Sequence, residues 1–234
     1  FDYPRGDANK YTTYQGKGGV PLNSFLNRAA FALKFSSLKL FLSDTITEKS
    51  RILFNRTIQN RVNTIAPFLS YDSDPYMVIS KDGKLYWMMD GYSLTDMYPY
   101  SKPFGGSGYN YIRNSVKVVI DAYNGDVSFY VIDKNDPIVG AYKKAFPKLF
   151  KSFDAMPSDL KNHIRYPEDL FKIQTRMYAL YHMKDPQVFY NKEDLWNIPS
   201  EIYEQSQQEV EPYYVTMKLP EEKQAEFVLM TPFT

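Results

Sequence analysis

The chain has 234 residues, with 28 Lys or Arg against 27 Asp or Glu, so its formal net charge is only +1. This length can bury a substantial core in one large or two small domains. The balanced charge gives the whole chain no attraction to nucleic acid or acidic lipid, and we predict no nucleic-acid partner. Cysteine is absent, which excludes disulfides, thiolate metal sites and cysteine nucleophiles.

The first 44 residues form an N-terminal arm and an amphipathic helix. Glycines and tyrosines in residues 1–20 favour an extended arm, and Gln15–Gly19 lacks the spacing of a phosphate-binding loop. Pro21 is suited to start a helix that runs to about Phe35. Because its apolar residues recur every three or four positions, we predict that this face packs in the core. A membrane-surface role is the alternative. The apolar residues are Leu22, Phe25, Leu26, Ala29, Ala30 and Leu33.

The longest helix is predicted over Ile46–Leu69. Thr45 and Glu48 have the spacing of a capping box, and Pro67 marks where the helix loosens. Its arginines either face solvent or anchor an anionic group. One face carries Phe54, Ile58, Val62, Ile65 and Leu69, and the arginines are Arg51, Arg56 and Arg61.

Two β-hairpins follow the long helix. The first covers Tyr76–Tyr92 and turns at Asp82-Gly83; bulky residues throughout its second strand indicate a strand that is covered on both faces. The second covers Tyr109–Asp133, where Asn124-Gly125 predicts a type I′ turn. The glycine-rich tract Tyr98–Gly108 joins them and is a lid, a sugar-stacking platform or a simple connection.

These elements predict an α+β fold. An antiparallel sheet of two consecutive hairpins packs on the long helix, cystatin-like or PepSY-like by analogy, and a mainly helical segment follows. We place the boundaries at 1–44, 45–136 and 137–234. Two strands, Tyr213–Leu219 and Glu226–Met230, are predicted at the end of the last segment.

No residue pattern defines a reaction. The two histidines, His163 and His182, match no metal-ligand spacing, and no Gly-x-Ser-x-Gly motif occurs, so we predict no catalytic residue, metal or cofactor. The hairpin carboxylates leave a glycosidase-type acid and base open. The candidate ligand-binding residues are one arginine, three tyrosines and one aspartate, whose side chains suit anionic or polar ligands. They are Arg113, Tyr100, Tyr109, Tyr111 and Asp90.

Several blocks of the sequence resemble the uncharacterised protein family 0182, over essentially the whole chain and in order. Among them are RVNTIAPFL (61–69), NYIRNSVKVVIDAYNGDVSFY (110–130) and YHMKDPQVFYNKEDLWNIP (181–199). The resemblance implies a bacterial integral membrane protein with a large extracellular region, of which this chain is the first part. Phe1 in place of an initiator Met also indicates a segment of a longer protein.

The family has no established activity, so the resemblance transfers no catalytic residue. We therefore expect an extracellular module for binding, assembly or sensing without catalysis, located at the cell membrane. Its partners would be the membrane-embedded remainder of its own chain and an envelope polymer, lipid or protein. An envelope enzyme that acts on glycans or lipids through carboxylate and histidine acid-base chemistry is one alternative. A module of a transporter is another.

Overall fold

Residues 3–234 are described by a computed structural model with mixed α and β elements; the first two residues of the predicted arm lie outside the described part. The strands are β1 (Tyr3–Arg5), β2 (Ala8–Lys10), β3 (Val20–Pro21), β4 (Arg51–Ile52), β5 (Ser70–Tyr71), β6 (Tyr76–Ile79), β7 (Leu85–Thr95), β8 (Tyr111–Asp121), β9 (Val127–Val131), β10 (Phe150–Ser152), β11 (Ser200–Tyr203), β12 (Ser206–Glu209), β13 (Tyr213–Met217) and β14 (Glu226–Met230). The helices are α1 (Phe25–Lys34), α2 (Lys39–Leu42), α3 (Ile58–Ile65), α4 (Pro137–Ala145), α5 (Ser158–Lys161), α6 (Glu168–Tyr181) and α7 (Pro186–Asn191), with a 3-10 turn at Phe153–Ala155.

A six-stranded sheet is the largest sheet in the described residues. Its order is β10-β9-β8-β7-β5, and β6 also pairs with β7. The pairs β6–β7, β7–β8 and β8–β9 are antiparallel, which confirms the two predicted hairpins. Strand β10 joins β9 in parallel, so the sheet is mixed and larger than predicted. The remaining strands form four small antiparallel pairs, including β13 with β14.

The turn of the second hairpin differs from the predicted type I′ turn. Gly125 has φ +77°, but Asn124 is not among the residues with positive φ, whereas a type I′ turn needs positive φ at both positions. The side chain of Asp121 explains the difference, because its Oδ1 accepts the backbone N–H groups of Tyr123 at 2.8 Å and Asn124 at 2.6 Å. These bonds stabilise a wider loop.

The predicted helix over Ile46–Leu69 is wrong for its first half. Only Ile58–Ile65 is helical, and the longest helix is α6, with 14 residues. Upstream, Arg51 and Ile52 pair with β3, and Asn55 has φ +50°. The Arg51 guanidinium donates to the carbonyls of residues 17–19 at 2.7–2.9 Å. Tertiary contacts therefore override the helical spacing that the apolar residues show.

Both faces of the large sheet are covered. On one face, Val116 and Val118 pack with Val62 of α3 and Val139 of α4. On the other face, a second cluster forms around Val119 of β8. Its further members are Tyr76, Val78, Met88, Tyr130, Met156 and Leu160. The prediction that β7 is a strand covered on both faces is confirmed, since residues 88–93 are all buried. The cystatin-like or PepSY-like arrangement remains an analogy.

The prediction that the apolar face of α1 packs in the core is wrong for its largest side chains. Leu22 and Ala32 are buried, but Phe25, Leu26 and Leu33 are exposed. Helix α1 begins at Phe25 rather than Pro21 because the Ser24 side chain accepts the N–H of Asn27 and caps it. Its exposed side is open because, among the described elements, only the short α2 packs extensively on α1.

Candidate functional site

Four of the five predicted ligand-binding residues lie at one end of β8 and in the loop before it. The Arg113 guanidinium Nε lies 2.8 Å from Asp133 Oδ2, and its Nη1 lies 3.4 Å from the Tyr111 hydroxyl. Tyr111 stacks on Tyr98 at 5.2 Å between ring centroids. Tyr100 and Tyr109 are exposed. The structure thus brings Arg113 and Tyr111 together, with Arg113 already paired to a carboxylate.

The fifth predicted residue, Asp90, lies on the opposite face of the sheet from Arg113. Consecutive strand residues alternate faces, and Asp90 accepts a hydrogen bond from the side chain of Asn114, the neighbour of Arg113, at 2.8 Å. Asp90 is only 3% exposed. Its role in ligand binding remains a prediction, but its surroundings are those of a buried polar residue.

Asp90 belongs to a buried polar cluster, which we call the Asp72–Lys117 cluster and define by Asp72, Asp90, Tyr92, Asn114 and Lys117. A β-bulge assembles it. Gly91 pairs with Val116 and Tyr92 pairs with Asn114, which leaves Ser115 as an extra residue in β8. Such a bulge changes which residues share a face. Asn114 and Lys117 therefore both point to the face that carries Asp90 and Tyr92.

Lys117 and Asp90 form an ion pair directly across the two central strands. The Lys117 ammonium also donates to the carbonyl of Arg165 at 3.0 Å. Burial raises the pKa of Asp90 and lowers the pKa of Lys117, and in each case the partner's charge opposes the effect. Both side chains are at most 3% exposed, so the pair is closed to solvent.

Asp72 connects the same face of the sheet to the start of α6. It accepts hydrogen bonds from the Tyr92 hydroxyl and from the backbone N–H of Asp169 at 3.1 Å. In return, the Asp169 carboxylate accepts the N–H of Ser73 at 2.8 Å. A carboxylate at a helix N-terminus is stabilised by the free N–H groups there. Burial and then the bond to Asp72 raise the pKa of Tyr92 above its ordinary range.

Arg165 links the cluster to the C-terminal strand pair. Its guanidinium lies over the rings of Tyr76 at 4.4 Å, Tyr214 at 5.4 Å and Phe227 at 5.5 Å. The Tyr76 hydroxyl accepts a hydrogen bond from the backbone N–H of Arg165 at 3.2 Å. Burial raises the pKa of Tyr76 to about 12. These contacts hold Tyr76 in place beneath the guanidinium.

Sequence reasoning missed Asp72, Tyr92 and Lys117 as members of one cluster. Lys117 alternates with Val116 and Val118 in the sequence and is 1% exposed. A signal was available, since a charged residue within a strand covered on both faces needs a partner. The cross-strand register then identifies that partner as Asp90.

A different region, an open cleft, lies between the glycine-rich loop and α6. It measures about 410 Å³, within the ~300–1,000 Å³ that is typical of small-molecule sites. Gly105 and Gly106 take φ values of +52° and +71°, which glycine adopts without strain. The cleft combines apolar side chains with two cations, and its lining is Lys102, Pro103, Phe104, Gly105, Gly106, Ile173, Arg176, Met177, Leu180 and Tyr181.

The two histidines lie in separate surroundings. His163 is exposed, whereas His182 stacks on Trp196 at 3.8 Å and its Nε2 lies 3.3 Å from Asp194 Oδ2. Within residues 3–234, no three His, Asp or Glu side chains lie where they could hold a metal ion together. The carboxylate beside His182 is thus not one of the hairpin carboxylates that we considered for acid-base chemistry.

The fold and these sites define a mixed α+β segment with a buried ion-pair cluster and, in a different region, an open cleft. The sequence model described as "Uncharacterised protein family (UPF0182)" matches residues 1–234. The chain therefore belongs to this family.

UPF0182 proteins of Sulfurovum sp. and Pelotomaculum thermopropionicum are each 56% identical to this chain over its full length, and one of Methanospirillum hungatei is 52% identical. The chain spans only about a quarter of the length of these relatives, 26%, 25% and 26% respectively. No solved structure matches it significantly. No helix among residues 3–234 has the length and apolar character needed to span a bilayer.

Proposed function

We propose that this segment is a non-catalytic ligand-binding module on the extracellular side of a membrane protein. The observation that carries the proposal is the cleft between the glycine-rich loop and α6, which is open and holds both apolar and cationic side chains. By contrast, the acid-base groups with the strongest mutual contacts, Asp90 and Lys117, are buried and paired with each other. Accessible groups suit binding, whereas groups closed to solvent cannot reach a substrate.

The lining of the cleft favours an amphiphile that combines an apolar chain with an anionic group. Phe104, Met177 and Leu180 can contact an apolar chain. Arg176 Nη2 pairs with Glu209 at 2.8 Å, and both side chains are more than half exposed. An exposed ion pair contributes little to stability, so an anionic ligand can replace Glu209 at low cost.

Titration calorimetry of the 234-residue chain tests this site with decyl phosphate and with neutral decyl maltoside. We expect Met177→Arg to weaken decyl maltoside binding at least tenfold, because the new side chain fills the cleft and the neutral headgroup gains nothing from the added charge. Arg176→Gln should weaken binding of the phosphate but not of the maltoside. Met77→Arg is the matched control, since Met77 is 44% exposed and Met177 is 41% exposed. Equal affinity of the Met177→Arg and Met77→Arg variants would contradict the proposal.

The extracellular location is supported by the family resemblance and by the length of the relatives. About three-quarters of each relative lies beyond the matching region, since the match covers 25–27% of their length, and this remainder leaves room for membrane spans.

The location can be tested in intact cells that produce the full-length protein. We expect Tyr190→Cys, at a position 85% exposed on α7, to react with a membrane-impermeant maleimide. Val118→Cys, which is fully buried, and the unsubstituted protein are the controls. Labelling of Tyr190→Cys only after cell lysis would place the segment on the other side.

A further inference from the structure

Helices α1 and α2 form a small lobe whose outer surface is apolar and cationic, and we call it the α1–α2 lobe (residues 22–50). Five of its large apolar side chains are between 69% and 82% exposed. They are Phe25, Leu26, Leu33, Leu38 and Leu42. Single exposed leucines are ordinary, but a contiguous exposed group indicates an interaction surface.

The charges around this surface are mostly positive. Residues 8–43 contain five cations and no Asp or Glu, although the whole chain has a net charge of only +1, and the end of the lobe adds Lys49 and the two acids Asp44 and Glu48. The cations are Lys10, Lys17, Arg28, Lys34 and Lys39. The apparent neutrality of the chain therefore conceals a local positive region that includes the exposed apolar surface.

The lobe is fixed at its base, so its outer surface has a defined shape. Pro21 pairs with Arg51 across β3 and β4, and the Leu22 N–H donates to the Ser50 carbonyl at 2.9 Å. The Arg28 guanidinium donates to the carbonyls of Leu22 at 2.9 Å and Ile46 at 3.1 Å, which ties the start of the lobe to its end.

The exposed side chains surround a groove between the two helices. It has a volume of about 490 Å³, and Phe25, Leu33, Leu38 and Phe41 line it. The rings of Phe25 and Phe41 meet edge to face with centroids 5.0 Å apart. The apolar residues of α1 and α2 thus form one continuous surface.

We propose that the α1–α2 lobe lies in the interface of an anionic lipid bilayer, with its exposed Phe and Leu side chains inserted below the headgroups. Amphipathic helices with cations and aromatic or leucine side chains bind membranes in this way, at a depth of ~5–10 Å. Lys34 and Lys39 would then meet the phosphates. The inference rests on the proposed function, which attaches the segment to a membrane protein.

The charge pattern favours lipid over a second copy of the chain. A symmetric dimer through this surface would place the same patch of each copy against the other, and the net positive charge of the two lobes, four cations against Asp44 and Glu48 in each, would oppose association. An anionic lipid surface complements them instead, and each Lys near such a surface strengthens binding about fivefold.

Vesicle flotation of the 234-residue chain tests the proposal with phosphatidylcholine vesicles that contain or lack phosphatidylglycerol. We expect binding to the anionic vesicles, weaker at high salt, and a loss of at least about tenfold in Leu26→Glu/Leu33→Glu. Tyr190→Glu/Ile202→Glu is the control, because both positions are at least 84% exposed outside the lobe. Absence of binding, or equal binding by both double variants, would overturn the proposal.

A second measurement uses the full-length protein reconstituted in anionic vesicles, with a nitrobenzoxadiazole dye on Leu33→Cys or Tyr190→Cys. We expect spin-labelled lipids to quench the dye at position 33 but not at position 190. A dye at position 33 that is shielded from water yet unquenched would mean that the remainder of the chain or a second copy covers the lobe, and would overturn the proposal. The maleimide experiment tests the location independently, so the two can fail separately.

Discussion

The Asp72–Lys117 cluster and the α1–α2 lobe reverse the usual placement of charged and apolar side chains. In the cluster, an ammonium and a carboxylate are almost completely buried between strands. In the lobe, leucines are up to 82% exposed. Residues of the segment 153–164 pack over the sheet face that carries the cluster, whereas the short α2 is the only element among residues 3–234 that packs extensively on α1.

The comparison also separates stability from binding. Buried, mutually bonded groups cost free energy when one partner is removed, so single substitutions in the cluster are expected to destabilise the fold strongly. Exposed apolar side chains contribute little to folding because they remain in water. The same leucines are then available to a partner. Substitutions in the cluster should therefore change stability, whereas substitutions in the lobe should change binding.

The largest expected effect is that of Lys117→Met, which leaves Asp90 buried without its cation. We expect a loss of ~3–5 kcal/mol in the free energy of unfolding, measured by urea denaturation. Lys84→Met is the matched control, because Lys84 pairs with Asp82 at 2.6 Å but is 63% exposed. Its loss should be at most ~1 kcal/mol.

A double variant distinguishes an unpaired charge from a loss of packing. Asp90→Leu/Lys117→Met removes both charges, and we expect it to be more stable than Lys117→Met alone. If the double variant is less stable than Lys117→Met alone, the loss in the single variant does not come from an unpaired buried charge.

Alkaline pH should destabilise the fold through Tyr76, which contacts the cluster through Arg165. Burial raises the pKa of Tyr76 from 10.0 to about 12, so between these values the folded state retains a proton that the unfolded state has lost. The resulting stability is complete below pH 10 and is lost as the pH rises through 12. The shift corresponds to ~3 kcal/mol.

Urea denaturation at a series of pH values from 9 to 12 measures this loss. Tyr76→Phe should reduce the slope of stability against pH by up to one proton, while Tyr190→Phe, at an exposed position, should leave it unchanged. Parallel curves for Tyr76→Phe and the unsubstituted chain would show that Tyr76 titrates alike in both states.

Gly125→Ala, in the turn of the second hairpin, should lower the free energy of unfolding by an intermediate amount. Gly125 has φ +77°, and an added Cβ would lie 2.8 Å from the Arg61 guanidinium. Arg61 cannot move away freely, since it donates to the carbonyls of Gly125 at 2.8 Å and Asn55 at 3.0 Å. We expect a loss of ~2–3 kcal/mol, of which ~1–2 kcal/mol is the cost of the left-handed backbone.

Gly83→Ala is the matched control for this turn. Gly83 has φ +76°, and an added Cβ there has no neighbour within 4 Å. Both substitutions carry the same backbone cost, so the difference between their unfolding free energies measures the contact with Arg61. Equal losses would show that Arg61 relaxes without losing its hydrogen bonds.

The strands could be predicted from the sequence because alternation and turn residues are local signals. Both hairpins follow from residues within 25 positions of each other, such as Val116 and Val131. The sequence did not show that the first half of Ile46–Leu69 is not helical. Arg51 there donates to the carbonyls of residues 17–19, and the spacing of apolar residues does not encode such a contact. The type I′ turn predicted at Asn124-Gly125 was wrong because the Asp121 side chain accepts the backbone N–H of Asn124, which favours a different loop.

The candidate sites were less predictable than the strands. Lys117 and Asp90 are recognisable from sequence only when the register of β7 and β8 is known, and that register depends on the bulge at Ser115. The cleft requires the glycine-rich loop to meet α6, two elements more than 60 residues apart in the chain. Single residue types, such as the tyrosines near Arg113, carry no information on such distant contacts.

The smallest expected effect on stability is that of Leu33→Gln in the α1–α2 lobe. Because Leu33 is 82% exposed, its side chain gains little from folding, and we expect a change within ~0.5 kcal/mol. The identical substitution Leu69→Gln is the control, since Leu69 is 4% exposed. That variant should lose more than ~2 kcal/mol, because it removes a buried side chain and introduces an amide without a partner. Urea denaturation of both variants decides the matter: a loss at Leu33 as large as at Leu69 would mean that the lobe is covered within the folded chain and is not free to contact lipid.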